Sequence, residues 1–122
     1  MNEKKAMIIG EIIGNRCTAP GHFLMSLRLP PSFATPAPGQ FVMIHQACRG
    51  ELLLARPFSV FDFHRDGDHC VLELLYRVAG RGTFLFSGMG LGDELALLGP
   101  LGRGFTLPAG IRRAVFVAGG WV

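Results

Sequence analysis

Asp66-Gly67-Asp68-His69-Cys70-Val71-Leu72-Glu73-Leu74-Leu75-Tyr76-Arg77-Val78 is the stretch on which the fold turns. Asp66-Gly67 signals a hairpin, because a tight primed turn needs positive φ and these residue types tolerate it. Cys70 to Val78 is then the returning strand. A period of two puts Leu72, Leu74 and Tyr76 on one face and Glu73, Leu75 and Arg77 on the other, so Arg77 projects at the strand's end.

The neighbouring segments follow the same pattern. His22 to Leu29 alternates, with Phe23, Met25, Leu27 and Leu29 together, and the Ala19-Pro20-Gly21 turn pairs it with a strand from Met7 to Arg16 that is apolar on both faces apart from Glu11. Pro30 to Gly39 is a proline-rich loop that cannot donate a regular ladder. Gln40 to Gln46 resumes as a strand, Arg49-Gly50-Glu51 reads as a turn, and Leu52 to Phe63 runs extended through Arg56-Pro57. Thr83 to Ser87, bracketed by Gly82 and Gly88, predicts a helical turn or two beginning at the Gly-Thr step, and Asp93 to Leu98 a final strand before the glycine-rich loop Gly99 to Phe105. Such a string predicts an all-β fold, a six-stranded antiparallel Greek-key barrel with one short helix, over residues 1–110. Ala114 to Ala118 resembles the buried parallel strand that opens an α/β domain, so 111–122 is expected to be the start of a second, truncated unit.

Composition supports one domain with one core: 122 residues, 49% apolar, with 17 glycines and eight prolines that suit short strands and tight turns. The twelve lysines and arginines give a formal charge of +3, but they are scattered, with no basic run interleaved with aromatics, so nucleic acid is not selected. No apolar run is long enough to span a membrane: the longest uncharged stretch, Arg28 to Arg49, is broken by four prolines. Lys4 and Lys5 precede Met7-Ile8-Ile9, but Glu11 cuts that run short and no cleavage site follows, which predicts a cytoplasmic protein. Cys17, Cys48 and Cys70 are too far apart for a Cys-x-x-Cys motif and predict reduced thiols.

Chemistry concentrates in two places. Proline stiffens Arg56-Pro57-Phe58-Ser59, holding a guanidinium that can fork onto a phosphate at a fixed separation from a hydroxyl that can meet a heteroaromatic ring. Alone, the four residues describe an ordinary strand with an exposed arginine. Leu75-Tyr76-Arg77 adds an aromatic and a second guanidinium, and Gly80-Arg81-Gly82-Thr83 a helix start whose amides and missing side chains suit an anion, with Thr83 as cap serving equally well. His64, His69 and Cys70 cluster at the hairpin without a fourth zinc ligand, and Glu73 is placed to pair with Arg77. Met7, Met25, Met43 and Met89 read as core filling.

In order, Arg-Pro-Phe-Ser, Leu-Tyr-Arg, Gly-Arg-Gly-Thr, Gly-Asp and Gly-Pro-Leu-Gly-Arg-Gly-Phe (99–105), followed by Val-Ala-Gly-Gly, resemble the electron-transfer subunit of class 1B dihydroorotate dehydrogenase, within the ferredoxin-reductase-like flavoproteins. The resemblance runs from about Pro38 to Gly120. It implies that Arg56, Pro57, Phe58 and Ser59 line FAD, with Arg56 toward the pyrophosphate and Ser59 near the reactive edge of the isoalloxazine. It also implies Leu75, Tyr76 and Arg77 along the flavin and ribityl, and Gly82 and Thr83 under the pyrophosphate. The implied function is electron passage between a dihydroorotate dehydrogenase catalytic subunit and NAD in pyrimidine biosynthesis, with 111–122 opening an NAD-binding domain. An iron–sulfur cluster and NAD are expected only in a full-length subunit, because the cysteines and the nucleotide-binding half are missing here. A fragment is therefore expected, incomplete as an enzyme, with a homodimer left open. Two other readings stand beside this one: an FAD or FMN domain of a related reductase or hydrogenase subunit, and a flavin-free barrel that serves as an interaction module.

Overall fold

The computed structural model describes residues 7–45 and 55–118. Seven strands form: β1 (Ile8–Ala19), β2 (His22–Leu29), β3 (Phe41–His45), β4 (Arg56–Ser59), β5 (Asp62–Asp66), β6 (His69–Arg77) and β7 (Glu94–Leu101). One helix among the described residues, α1 (Arg81–Ser87), lies between β6 and β7. All pairings are antiparallel, in the order β4-β3-β7-β1-β2-β6-β5.

The two ends of that order are consecutive in the chain. Only Val60 and Phe61 separate β4 from β5. The Val60 amide donates to the Gln40 carbonyl at 3.2 Å, continuing the ladder with β3, and the Phe61 amide donates to Glu73 at 2.9 Å, opening the ladder with β6. One extended segment thus pairs with β3 through its first half and β6 through its second, which closes the sheet into a barrel and removes its free edges. Here lies the difference from the six strands expected: the run ending at Phe63 is one stretch of chain that changes partner at Val60-Phe61. Residues 52–54 of that run, the Arg49-Gly50-Glu51 turn and Cys48 lie outside the described residues.

The core follows from strand alternation. Phe23, Met25, Leu27 and Leu29 face inward in register with Tyr76, Leu74, Leu72 and Cys70, and Val42, Ile44, Leu95 and Leu97 complete the barrel interior from β3 and β7. Each such side chain contributes roughly 1.5–3 kcal/mol when fully buried. At the hairpin, Asp66 pairs with His69, so the loop residues are Gly67-Asp68, one position later than expected. Only Gly67 has positive φ, at +62°, which is the requirement of the first central position of a II′ turn and leaves Asp68 unstrained.

A bulge shapes β1. Ile12 pairs with Leu27 and Gly14 with Ser26, so Ile13 is an extra residue on this strand. It resets the alternation: Ile12 faces the interior, and so does Asn15, opposite buried Met25, although an odd separation would put them on opposite faces of a regular strand. At the far end, Arg65 of β5 clasps the proline-rich loop, donating to the carbonyls of Pro31 (3.1 Å) and Phe33 (2.8 Å) and to Thr35 Oγ1 (2.8 Å).

Three expected elements shift. The helix begins at Arg81, one residue before the Gly82-Thr83 step, and β7 runs on to Leu101. Ala114 to Ala118 forms no strand: Val115, Phe116 and Val117 are 83–92% exposed, and a parallel strand forms only beside a neighbour, which no described residue supplies. No helix among the described residues is long and apolar enough to cross a membrane.

Candidate functional site

Helix α1 covers one mouth of the barrel, and the match of two repeats sets its seat. Arg56 opens β4 opposite buried Ile44 and Phe58 follows opposite buried Val42, so both lie on the inner face, Arg56 at the rim. The buried face of α1 is Gly82 and Phe86. Four helical residues rise about 6 Å and two strand residues about 6.6 Å. The two rows therefore meet position for position: Phe86 packs on Phe58 with ring centroids 5.2 Å apart, and the Arg56 side chain lies against Gly82. A β-carbon added at Gly82 would overlap Arg56 Nε and sit 3.1 Å from its Cδ and 3.2 Å from its Cζ, so glycine is what lets the guanidinium approach the first turn of the helix. Among the described residues, Arg56 forms no hydrogen bond or ion pair. A cation is thus held beside the positive end of a helix with nothing negative between them.

Thr83 is the third helical residue, not the cap. Its Oγ1 accepts from the amides of Ala79 (2.8 Å) and Gly80 (3.1 Å), bracing the approach to the helix and leaving Gly80 at the cap position. Arg77 ends β6 four residues before Arg81 opens α1. Pro57 and Ser59, opposite Met43 and Phe41, face outward along β4, with Ser59 about 10 Å of strand from Arg56. Leu75, 39% exposed, faces outward on β6 with Arg77.

Phe58 and Tyr76 point the other way. Tyr76 is 4% exposed, lies parallel to Phe23 at 5.8 Å and meets Phe58 edge to face at 5.9 Å. Burial pushes its pKa up from 10.0 to about 12, against the smaller opposing effect of its hydrogen bond to Asn15. These two rings are the floor under α1. Of the nine residues singled out in the sequence, the fold brings Arg56 and Gly82 into contact, sets Thr83 beside them, turns Pro57, Ser59, Leu75 and Arg77 outward, and buries Tyr76 and most of Phe58.

No protein-family model matches the chain. Among curated proteins it is 39% identical over 102 residues to the dihydroorotate dehydrogenase B (NAD(+)) electron transfer subunit of Desulforamulus reducens, covering 84% of this chain and 38% of that protein. The subunit of the same name from Enterococcus faecalis strain V583 is 36% identical across 100% of this chain and 45% of its own length, and that of Caldanaerobacter subterraneus subsp. tengcongensis is 45% identical over 70% of this chain and 32% of its own. The chain is a homologue of the dihydroorotate dehydrogenase B electron transfer subunits. It spans less than half the length of these relatives. In structure, 85% of the chain superposes on 30% of the Amycolatopsis cytochrome P450 reductase GcoB, with a TM-score of 0.65 and 28% identity. The barrel is thus of the ferredoxin-reductase-like FAD-binding type.

One residue of this electron transfer subunit homologue escapes a reading by motif. Asn15 donates through Nδ2 to the carbonyls of Phe86 (2.8 Å) and Met89 (2.9 Å), at the end of α1, and its Oδ1 accepts from Tyr76 Oη at 2.9 Å. Its only signal in the sequence is an amide at an inward position of an apolar strand, and that position becomes inward only through the bulge.

Proposed function

We propose that this chain is the flavin-holding barrel of an electron transfer subunit that works between a dihydroorotate dehydrogenase catalytic subunit and NAD. The observation that carries the reading is the Arg56 guanidinium, without a partner among the described residues and laid over Gly82 at the start of α1. An exposed guanidinium laid against the first turn of a helix can take a diphosphate from solvent, and the names of the curated relatives make an electron-carrying dinucleotide the fitting occupant.

In this proposal Arg56 and Gly82 hold the pyrophosphate of FAD, with Arg77 and Thr83 beside it. Pro57, Ser59 and Leu75 border the flavin along the outer surface, Ser59 offering a hydroxyl toward the ring, while Phe58 and Tyr76 contribute through their main chain and support the wall from inside. Bound FAD supplies the chemistry that this chain's side chains lack, exchanging a hydride on one side and single electrons on the other. Residues 1–110 are the flavin unit and 111–122 the beginning of an NAD-binding unit. The cluster and the NAD site belong to a longer subunit.

Titration of the purified chain with FAD, FMN and riboflavin tests this directly. FAD is expected to bind with a flavin absorbance shift and more tightly than riboflavin, and Arg56→Ala to weaken FAD by about ten- to a hundredfold, the loss of a charge-assisted hydrogen bond. Equal affinity for FMN and FAD would move the chain to an FMN-using reductase. No flavin binding at all would leave an interaction module.

A further inference from the structure

We infer that Asn15 is a positioning residue for the diphosphate seat, acting through α1; the inference rests on the flavin reading above. A seven-residue helix is too short to be stable by itself, so its placement depends on what holds it. Its first turn is braced by Thr83 Oγ1 and its last by the Phe86 ring among Phe58 and Tyr76. At its C-terminal end the last carbonyls have no helical partner of their own. Asn15 donates to Phe86 O, which also accepts from the Met89 amide at 3.1 Å, and to Met89 O two residues past the helix, with both hydrogens of one amide. The third arm of that amide, Oδ1, accepts the Tyr76 hydroxyl, and Tyr76 is fixed in the core of β6.

Asn15 therefore joins β1, β6 and the end of α1 at one point. Gly82 and Phe86 are on the same face of the helix, four residues apart, so a tilt released at Phe86 is transmitted to Gly82. Arg56 lies against Gly82, where an added β-carbon would overlap its Nε, so a shift of the first turn changes where the guanidinium can sit. No hydrophobic residue can substitute: the geometry needs two donors and one acceptor on a side chain of two carbons, and among the natural residues asparagine alone has that set at this length. The bulge at Ile13 exists in this account to aim it.

The experiment separates positioning from plain stability. Asn15→Ala, the near-isosteric Asn15→Asp and Tyr76→Phe are titrated with FAD and with riboflavin well below their melting temperatures, and amide exchange is followed over residues 81–87. Asn15→Ala and Asn15→Asp, which lose the helix-directed donors, are expected to narrow the FAD-over-riboflavin preference by about tenfold and to speed exchange in α1, with riboflavin affinity kept. Tyr76→Phe, which keeps those donors, is expected to lower the melting temperature and leave the preference within about twofold of the parent. Should Asn15→Ala fail to fold, Asn15→Asp carries the comparison. Unchanged preference and unchanged exchange in a folded Asn15 variant would overturn the inference. A parent chain without any FAD-over-riboflavin preference would sink the flavin reading instead, while the exchange rates in α1 still decide whether Asn15 positions the helix.

Discussion

At Gly82, stability and binding are set against each other. The position is helical and its φ is ordinary, so alanine fits the backbone and removes glycine's cost of about 1 kcal/mol in a helix. The new methyl group meets the far end of a flexible arginine, which can swing aside. Gly82→Ala is therefore expected to melt at the same temperature or higher while binding FAD about tenfold more weakly, a sign split that calorimetry and a flavin titration would read together. Tyr76 gives a second residue-scale prediction, uniquely assignable because it is the chain's single tyrosine. Its folded pKa, about 12, lies above the 10.0 of the free side chain, so the folded state binds the proton more tightly. The stability this contributes is complete below pH 10 and is lost as pH rises toward 12. Urea midpoints measured across that window should fall more steeply for the parent than for Tyr76→Phe, and the tyrosinate absorbance of the folded chain should titrate late. Arg56 and Gly82 could be singled out in the sequence, the one beside a stiffening proline and the other at a glycine-flanked helix start, and the fold brings them into contact. Asn15 could not, since its role depends on a phase shift that no spacing rule contains.

Among the elements, the glycine-rich loop Gly99 to Phe105 shows why its string is so particular. Added β-carbons would sit 2.8 Å from Val42 Cγ1 at Gly99, and 2.7 Å from Ala37 Cβ and 3.0 Å from the Pro38 carbonyl at Gly104, while the Phe105 amide donates to that same carbonyl at 2.8 Å. The loop is laid flat on residues 37–42, with Gln40 tied across to the Gly102 carbonyl at 2.8 Å. Gly104→Ala has to push backbone, not a side-chain tip, and is expected to cost about 1–3 kcal/mol in denaturant unfolding. Phe61→Pro is expected to be more damaging still, because it removes the amide that hands the barrel from β3 to β6. Most strands were readable from alternation, as in β2 and β6, where one face is buried. The split of β4 from β5 was not, because a strand's partner is a property of the closed sheet and both halves have the same local character. Helix α1 was found but started late, since Thr83 looks like a cap and serves as the brace three residues further in.

For the whole molecule, closure leaves an uneven surface. Phe105, Leu107, Ile111, Val115, Phe116 and Val117 are 44–92% exposed, an apolar run such as isolated chains seldom leave uncovered. In dilute buffer the chain is expected to self-associate with rising concentration, and Val115→Ser with Phe116→Ser to reduce light scattering without changing the melting temperature, since neither ring nor methyls enter the barrel core. The bulge has a different consequence, which concerns counting. Loss of one codon from the proline-rich loop shortens a connection and leaves every pairing intact. Loss of the codon for Ile13 changes parity: everything on one side of it in β1 turns inside out relative to the other, sending the Asn15 amide into solvent or Ile12 out of the core. Descendants of this barrel can thus trade residues in that strand freely by kind, but not by number.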